Sequence, residues 1–178
     1  MAYIQGPSGQ LADVNIDKQL LTRAVTESDL EYASEAKGKA YSWSSSYAAT
    51  AAQEVISIKN TSTSDNLIID EVAVANTVAG VFTIFEVTSG TAAGTGVTGQ
   101  NLNLGSGKSA DATAFGNASV TGSLSGNVLL YESVAANAGA LLDLKGSLIL
   151  GLDDEIAITA SANGTVYVTV IGHYKAPD

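Results

Sequence analysis

The chain has 178 residues, of which 46% are apolar but only 6% aromatic, and its formal net charge is −10 at pH 7. That length favours one domain whose core is built from Val, Ile, Leu and Ala with a few Tyr. The absence of cysteine excludes disulfides and zinc–thiolate sites, and the scarcity of Lys and Arg argues against nucleic acid as a partner.

The first residues carry no targeting signal. Met1–Pro7 lacks the basic head and the apolar run of a secretory signal peptide. The apolar stretches elsewhere are a handful of residues long, too short to cross a membrane. We therefore expect synthesis and folding in the cytosol, with no membrane partner.

Residues 1–19 predict an N-terminal arm that precedes a folded domain at residues 20–178. Gly6–Gly9 favours a turn and is poorly suited to a packed element. A free terminus of this kind is either disordered or laid across a neighbouring surface. We predict the second role for its apolar residues, which offset the cost of ordering only when a partner buries them: Ile4, Leu11, Val14 and Ile16.

Residues 28–37 carry the one helical pattern of the chain. Ser28 and Glu31 fit a capping box, and Gly38 follows as a stop signal. A helix of about ten residues is marginal without packing, so the sequence leaves helix and non-helix both open here.

Strand patterns follow in series. Within residues 81–87 both faces are apolar, which predicts a strand covered on both sides. One thin sandwich covers only the inner face of each sheet, so this pattern suggests a further layer over the outer face. The predicted strands before the C-terminal region cover residues 40–47, 55–59, 67–75, 81–87, 128–134 and 147–150.

The C-terminal region has the clearest alternation. Apolar residues alternate in 155–160 and again in 165–170, and Asn163–Gly164 between them tolerates positive φ. This pattern predicts a β-hairpin.

Short strands separated by Gly, Ser and Asn predict an all-β fold, a single β-sandwich or jelly-roll domain with an extended N-terminal arm. Residues 88–126 are the exception, because they are rich in Gly, Ser, Thr, Asn and Ala without a strand pattern. A loop of that length usually has a function or is mobile.

The candidate chemical motifs lack the context that their chemistry needs. Gly94–Gly99 has dinucleotide-binding spacing, but no helix pattern follows it. Asp153–Glu155 fits a solvated turn better than a calcium loop. His173 is the only histidine, and no Gly-x-Ser-x-Gly elbow accompanies it, so a structural or exposed role is favoured over a triad. We predict no enzyme, no cofactor and no metal site.

Several stretches resemble small structural proteins of tailed bacteriophages. They are Ala2–Gly9, Asn101–Gly116 and Leu148–Ala160, the last closed by Val166–Tyr174. The resemblance consists of short phrases spread over most of the chain, and it brings no catalytic motif with it.

The resemblance implies a virion component, most often a capsid decoration (cement) protein that bridges and stabilises major capsid subunits. Its partners would be the major capsid protein and itself, as a homotrimer on the outer capsid surface after synthesis in the host cytoplasm. The alternatives are a tail or head-fibre component that contacts the host surface and, from another class, a carbohydrate-binding module. The acidic balance fits the outside of a particle better than contact with packaged DNA.

Overall fold

Strands dominate the structure, a computed structural model that describes residues 3–5, 11–13, 28–49, 53–118, 124–161 and 163–177. A short helix, α1 (Asp29–Tyr32), continues into a π-helical turn (Ala33–Lys37). The strands are β1 (Tyr3–Gln5), β2 (Leu11–Asp13), β3 (Ala40–Ala49), β4 (Gln53–Asn60), β5 (Asn66–Asn76), β6 (Gly80–Ser89), β7 (Thr95–Gly96), β8 (Gln100–Asn101), β9 (Ala112–Ala118), β10 (Ser125–Val134), β11 (Ala138–Leu150), β12 (Glu155–Ala160) and β13 (Gly164–Lys175).

Two antiparallel sheets pack against each other, so the predicted all-β sandwich is confirmed. One sheet has six strands in the order β10-β6-β12-β4-β9-β7, and the other has five in the order β11-β5-β13-β3-β8. The long strands pair in a nested way: β6 with β10, β5 with β11, β4 with β12 and β3 with β13. The segments β3–β6 and β10–β13 thus form one long antiparallel ribbon. Its successive strand pairs alternate between the two sheets.

The core between the sheets combines aliphatic side chains with a few large aromatic ones. Trp43 and Tyr41 are almost completely buried, and their ring centroids lie 6.0 Å apart. A second, smaller cluster of Phe85, Leu124 and Ala157 covers the other face of β6. The prediction that β6 is covered on both sides is therefore confirmed.

The helical pattern at residues 28–37 forms a real helical segment. The Ser28 hydroxyl accepts a hydrogen bond from the Glu31 amide at 3.1 Å, as the capping box predicts. Gly38 ends the segment in the left-handed conformation, with φ 59°. The π-helical turn packs against β3 and β13 and supplies the tertiary support that so short a helix needs.

The predicted C-terminal hairpin is wrong. β12 pairs with β4 and β6, whereas β13 pairs with β3 and β5, so the chain crosses from one sheet to the other between Ala160 and Gly164. The alternation was read correctly, because both strands bury one face in the core. Alternation reports which face of a strand is buried and not which strand lies beside it, so the pattern could not separate a hairpin from a crossing.

The structure contains one strand that the sequence pattern does not predict and one that is longer than predicted. The stretch 88–126 contains β9, which pairs with β4, and β11 begins at Ala138, well before the predicted start at Ser147. Ala112–Ala118 has one large side chain, and the first half of β11 is interrupted by Gly, Asp and Lys. Such compositions have low strand propensity, and the neighbouring strands decide their conformation.

Strands β1 and β2 pair with each other, with Ile4 opposite Ala12, and form a separate two-stranded sheet. They fall within the predicted arm, whose residues 14–19 lie outside the described ranges. Within the part of the chain that the structure describes, no helical segment has the length and apolarity needed to cross a bilayer.

Candidate functional site

Loop 101–108 meets the helical segment at one end of the five-stranded sheet. β8 leads into the loop and pairs with β3, and the Leu102 amide then donates to the Ala40 carbonyl at 2.9 Å. On the other side of the loop the Tyr41 hydroxyl donates to the Ser109 carbonyl at 2.9 Å. Burial raises the pKa of this Tyr41 hydroxyl, which keeps it a hydrogen-bond donor.

Two asparagines fix the conformation of loop 101–108. The Asn101 side chain donates to the Gly38 carbonyl at 2.9 Å and accepts from the Asn103 amide at 2.8 Å. The Asn103 side chain donates to the Ser34 carbonyl at 3.1 Å and accepts from the Gly105 amide at 3.2 Å. Each asparagine thus closes a local turn and also ties the loop to the end of the helical segment.

Gly38 lets the loop approach the helical segment closely. A Cβ atom at Gly38 would lie 2.6 Å from the Cβ of Ser106, which is closer than packed carbon atoms allow. The Lys108 ammonium also donates to the Lys37 carbonyl at 2.6 Å, at the carbonyl end of the π-helical turn. The loop and the helical segment therefore form one rigid unit.

Leu104 stands at the tip of this rigid loop and is 93% exposed, the most exposed large apolar side chain in the described residues. Leu102 on the same loop is 41% exposed. A flexible loop would let such a leucine fold back onto the protein, but the loop is held by two asparagine turns, one that ends at Asn103 and one that spans Leu104. The arrangement displays an apolar side chain at the surface and can hold it ready for an apolar pocket on a partner.

A cleft of about 530 Å³ on the five-stranded sheet adjoins the helical segment and contains His173. His173 is 3% exposed, and its Nδ1 lies 2.7 Å from a carboxylate oxygen of Asp70. Its Nε2 has no hydrogen-bond partner in the described part of the chain. The pair has the histidine–carboxylate arrangement that a triad also uses, and among the described residues no hydroxyl lies on Nε2.

The glycine motif Gly94–Gly99 is followed by β8 and not by a helix. Gly99 has a packing role, because a Cβ atom there would lie 2.6 Å from the indole nitrogen of Trp43. The spacing therefore does not create a dinucleotide site, which needs a helix N-terminus at the pyrophosphate.

Asp153 and Asp154 lie exposed in the turn before β12, as the solvated-turn interpretation predicts, whereas Glu155 is the first residue of β12 and is half-buried. Asp153 pairs with the Lys59 ammonium at 2.8 Å, and an Asp154 carboxylate oxygen accepts from the Gly151 amide at 2.8 Å. Burial raises the pKa of Glu155. Across the described ranges, no three His, Cys, Asp or Glu side chains come together as a metal site requires.

Two of the four residues predicted to form an arm interface lie in described strands. Ile4 lies in β1 and Leu11 in β2, on paired strands, while Val14 and Ile16 lie outside the described residues. The sequence analysis did not single out Leu104 or its supporting asparagines. The signal was present, because Asn-Leu-Asn-Leu-Gly-Ser-Gly at 101–107 places two turn-forming asparagines around leucines.

No protein-family model, curated protein or solved structure matches the chain.

Proposed function

We propose that the chain is a virion structural protein that decorates a bacteriophage capsid and bridges its major capsid subunits from outside. The observation that carries the proposal is the nested pairing of β3–β6 with β10–β13. Its strand order supports a jelly roll, an arrangement that viral capsid domains use. A fold alone does not determine a function, so the proposal rests equally on the resemblance of Asn101–Gly116 and the other stretches to phage structural proteins.

The rigid loop 101–108 is the part of the surface that we assign to the capsid. Leu104 fits the role of an anchor, since interface anchors are apolar side chains held in their bound conformation before the partner arrives. Lys108 ends the same loop and provides a positive charge on a chain whose net charge is −10. The capsid protein would then offer an apolar pocket with a carboxylate near its rim.

The working unit is a homotrimer in this proposal. A symmetric assembly presents several copies of the loop at once, and linked contacts bind far more tightly than one contact alone. The net charge of −10 keeps the assembly apart from packaged DNA, on the outer surface of the particle.

Binding to expanded capsids made without this chain tests the proposal. Wild-type protein is expected to co-sediment with the capsids saturably and at high copy number. Leu104→Ser should bind at least tenfold more weakly, a difference of about 1.4 kcal/mol. The matched control is Leu141→Ser, which removes a leucine that is 64% exposed on β11 and should bind as wild type does.

The same experiment with isolated tails addresses the alternative of a tail or head-fibre component. Binding to tails and not to capsids would replace the decoration role with a host-contact role. Immunogold labelling of intact virions gives an independent answer, because it locates the protein on head or tail directly.

A further inference from the structure

Strand β10 is an open edge of the six-stranded sheet. It is ten residues long and pairs with β6 on one side, and no described strand pairs with its other side. Three large apolar side chains on it are exposed: Val128 at 47%, Leu129 at 45% and Tyr131 at 65%. Beyond β10 the position of the next strand, about 4.8 Å further along the sheet, holds no described strand, so no described strand pairs with the outer backbone groups of β10.

The other terminal strands of the two sheets are very short or carry lysine, and β10 has neither feature. β7 and β8 are two residues each, and β11 carries Lys145 and a register shift between Asp143 and Leu148. Short edges, lysines and irregularities are the usual devices against further pairing. β10 has two register shifts of its own, but it contains no lysine or proline, and Glu132 is its one charged residue.

The strand pair β1–β2 also lacks a third strand among the described residues. It forms a two-stranded sheet that is not hydrogen-bonded to either sheet of the sandwich in the described residues. An isolated pair of strands is at best marginally stable in water and needs a third strand or a packing surface. Within the described residues, neither the β1–β2 pair nor the outer edge of β10 is hydrogen-bonded to a further strand.

We propose that β1 of one copy adds to the β10 edge of the next copy. The inference rests on the self-association proposed above and names its interface. β1 is chosen over β2 because β2 ends in Asp13, whose charge has the same sign as that of Glu132 on β10, whereas β1 is uncharged. The contact joins different surfaces on the two copies, so it runs head to tail, and the proposed homotrimer requires a rotation between copies that closes it into a ring of three.

Charge and chain length are compatible with this contact. Residues 3–13 contain one charged residue and β10 contains one, so the two surfaces meet without the repulsion that the net charge of −10 imposes elsewhere. Residues 14–28 separate β2 from α1, and a chain of that length reaches at most about 50 Å. A folded domain of about 150 residues has a radius of gyration of about 15 Å, so a segment of that length can reach a neighbouring copy.

Site-specific crosslinking tests the contact, and the cysteine-free chain allows single thiols to be introduced cleanly. Ile4→Cys protein carrying an affinity tag is mixed with untagged Leu129→Cys protein and treated with a short bismaleimide. A crosslink between the two chains is expected, at least tenfold more abundant than with the control partner Tyr167→Cys. Tyr167 is 50% exposed but lies on the central strand β13 of the other sheet.

Equal crosslinking with the Tyr167→Cys control would overturn the inference. So would a double variant, Ile4→Cys with Leu129→Cys, that crosslinks within one chain and not between chains. Light scattering provides the second measurement: Leu129→Lys should convert the oligomer to a monomer, and Tyr167→Lys should not. Wild-type protein that is monomeric at micromolar concentration would also overturn it, whereas an oligomer that fails to bind capsids would contradict the proposed function alone.

Discussion

Loop 101–108 and strand β10 both expose leucines, but in different settings. Leu104 is exposed on a loop whose shape is held by hydrogen bonds that the Asn101 and Asn103 side chains accept. Leu129 is exposed on the last described strand of its sheet, at a register shift between Val128 and Leu130. The first leucine is displayed by local interactions, and the second lies on a strand beside which no further described strand pairs. Exposure alone therefore does not identify an interface, and the origin of the exposure indicates what kind of partner would remove it.

The largest contrast is expected between two aromatic residues, one beneath the loop region and one on the edge. Trp43 is fully buried and packs against Gly99, so Trp43→Ala should lower the free energy of unfolding by about 3–5 kcal/mol. Tyr131→Ala on β10 should change it by less than about 0.5 kcal/mol in the monomer. Urea unfolding of both variants measures the difference, and equal losses would mean that the edge is part of the folded core.

A smaller loss is expected at the joint between the loop and the helical segment. Gly38→Val places a branched side chain in a left-handed conformation and against Ser106, which should cost about 1–3 kcal/mol. For a chain of this length the melting temperature should fall by about 2–4 °C per kcal/mol. Gly107→Val is the control, because Gly107 shares the left-handed conformation but has open space around it. A melting temperature equal in the two variants would show that the close approach to Ser106 contributes nothing.

Removal of one asparagine that holds loop 101–108 should lower the free energy of unfolding by less still. Asn103→Ala deletes two hydrogen bonds and should lower the free energy of unfolding by about 1–2 kcal/mol. Hydrogen exchange should become faster at the Gly105 amide and stay unchanged in β10. An unchanged exchange rate at Gly105 would contradict the claim that the asparagine turns make the loop rigid.

The smallest effects on stability are expected at the exposed leucines themselves. Leu104→Ser and Leu129→Ser should each leave the free energy of unfolding of the monomer within about 0.5 kcal/mol of wild type. Calorimetry at low protein concentration measures both. A loss well above that value for Leu104→Ser would mean that the loop tip packs against the domain and is not a displayed anchor.

Much of the fold could be predicted from the sequence, because the burial of one face of a strand or helix produces a periodic pattern of apolar residues along the chain. The alternation in 155–160 and 165–170 and the cap at Ser28 depend on neighbouring residues alone, and each was identified. Pairing partners depend on residues far apart in the chain, so the crossing at Asn163–Gly164 was mistaken for a hairpin. β9 was missed for a related reason, since small residues adopt the conformation that adjacent strands impose.

The candidate site was less predictable than the fold. The asparagines at 101 and 103 gave a turn signal, but their bonds to Gly38 and Ser34 join segments more than sixty residues apart. The open edge at β10 could not be predicted, because the strand order of a sheet has no local signature. The arm residues Ile4 and Leu11 were identified by their apolar character, and their role stays a prediction.

The nested ribbon also determines how the protein reaches its native state. β13 occupies the middle of the five-stranded sheet, where Ala40 of β3 pairs with His173. During synthesis β3 and β5 leave the ribosome before the strand that must separate them, and they cannot complete their hydrogen bonds until it arrives. Pairings of this range give slow folding, on the millisecond-to-second scale. The sandwich should therefore form late and in one cooperative step, which exposes nascent chains to aggregation. Until then β10, with Glu132 as its one charged residue, is itself a site at which unfinished chains can aggregate, before it becomes an interface.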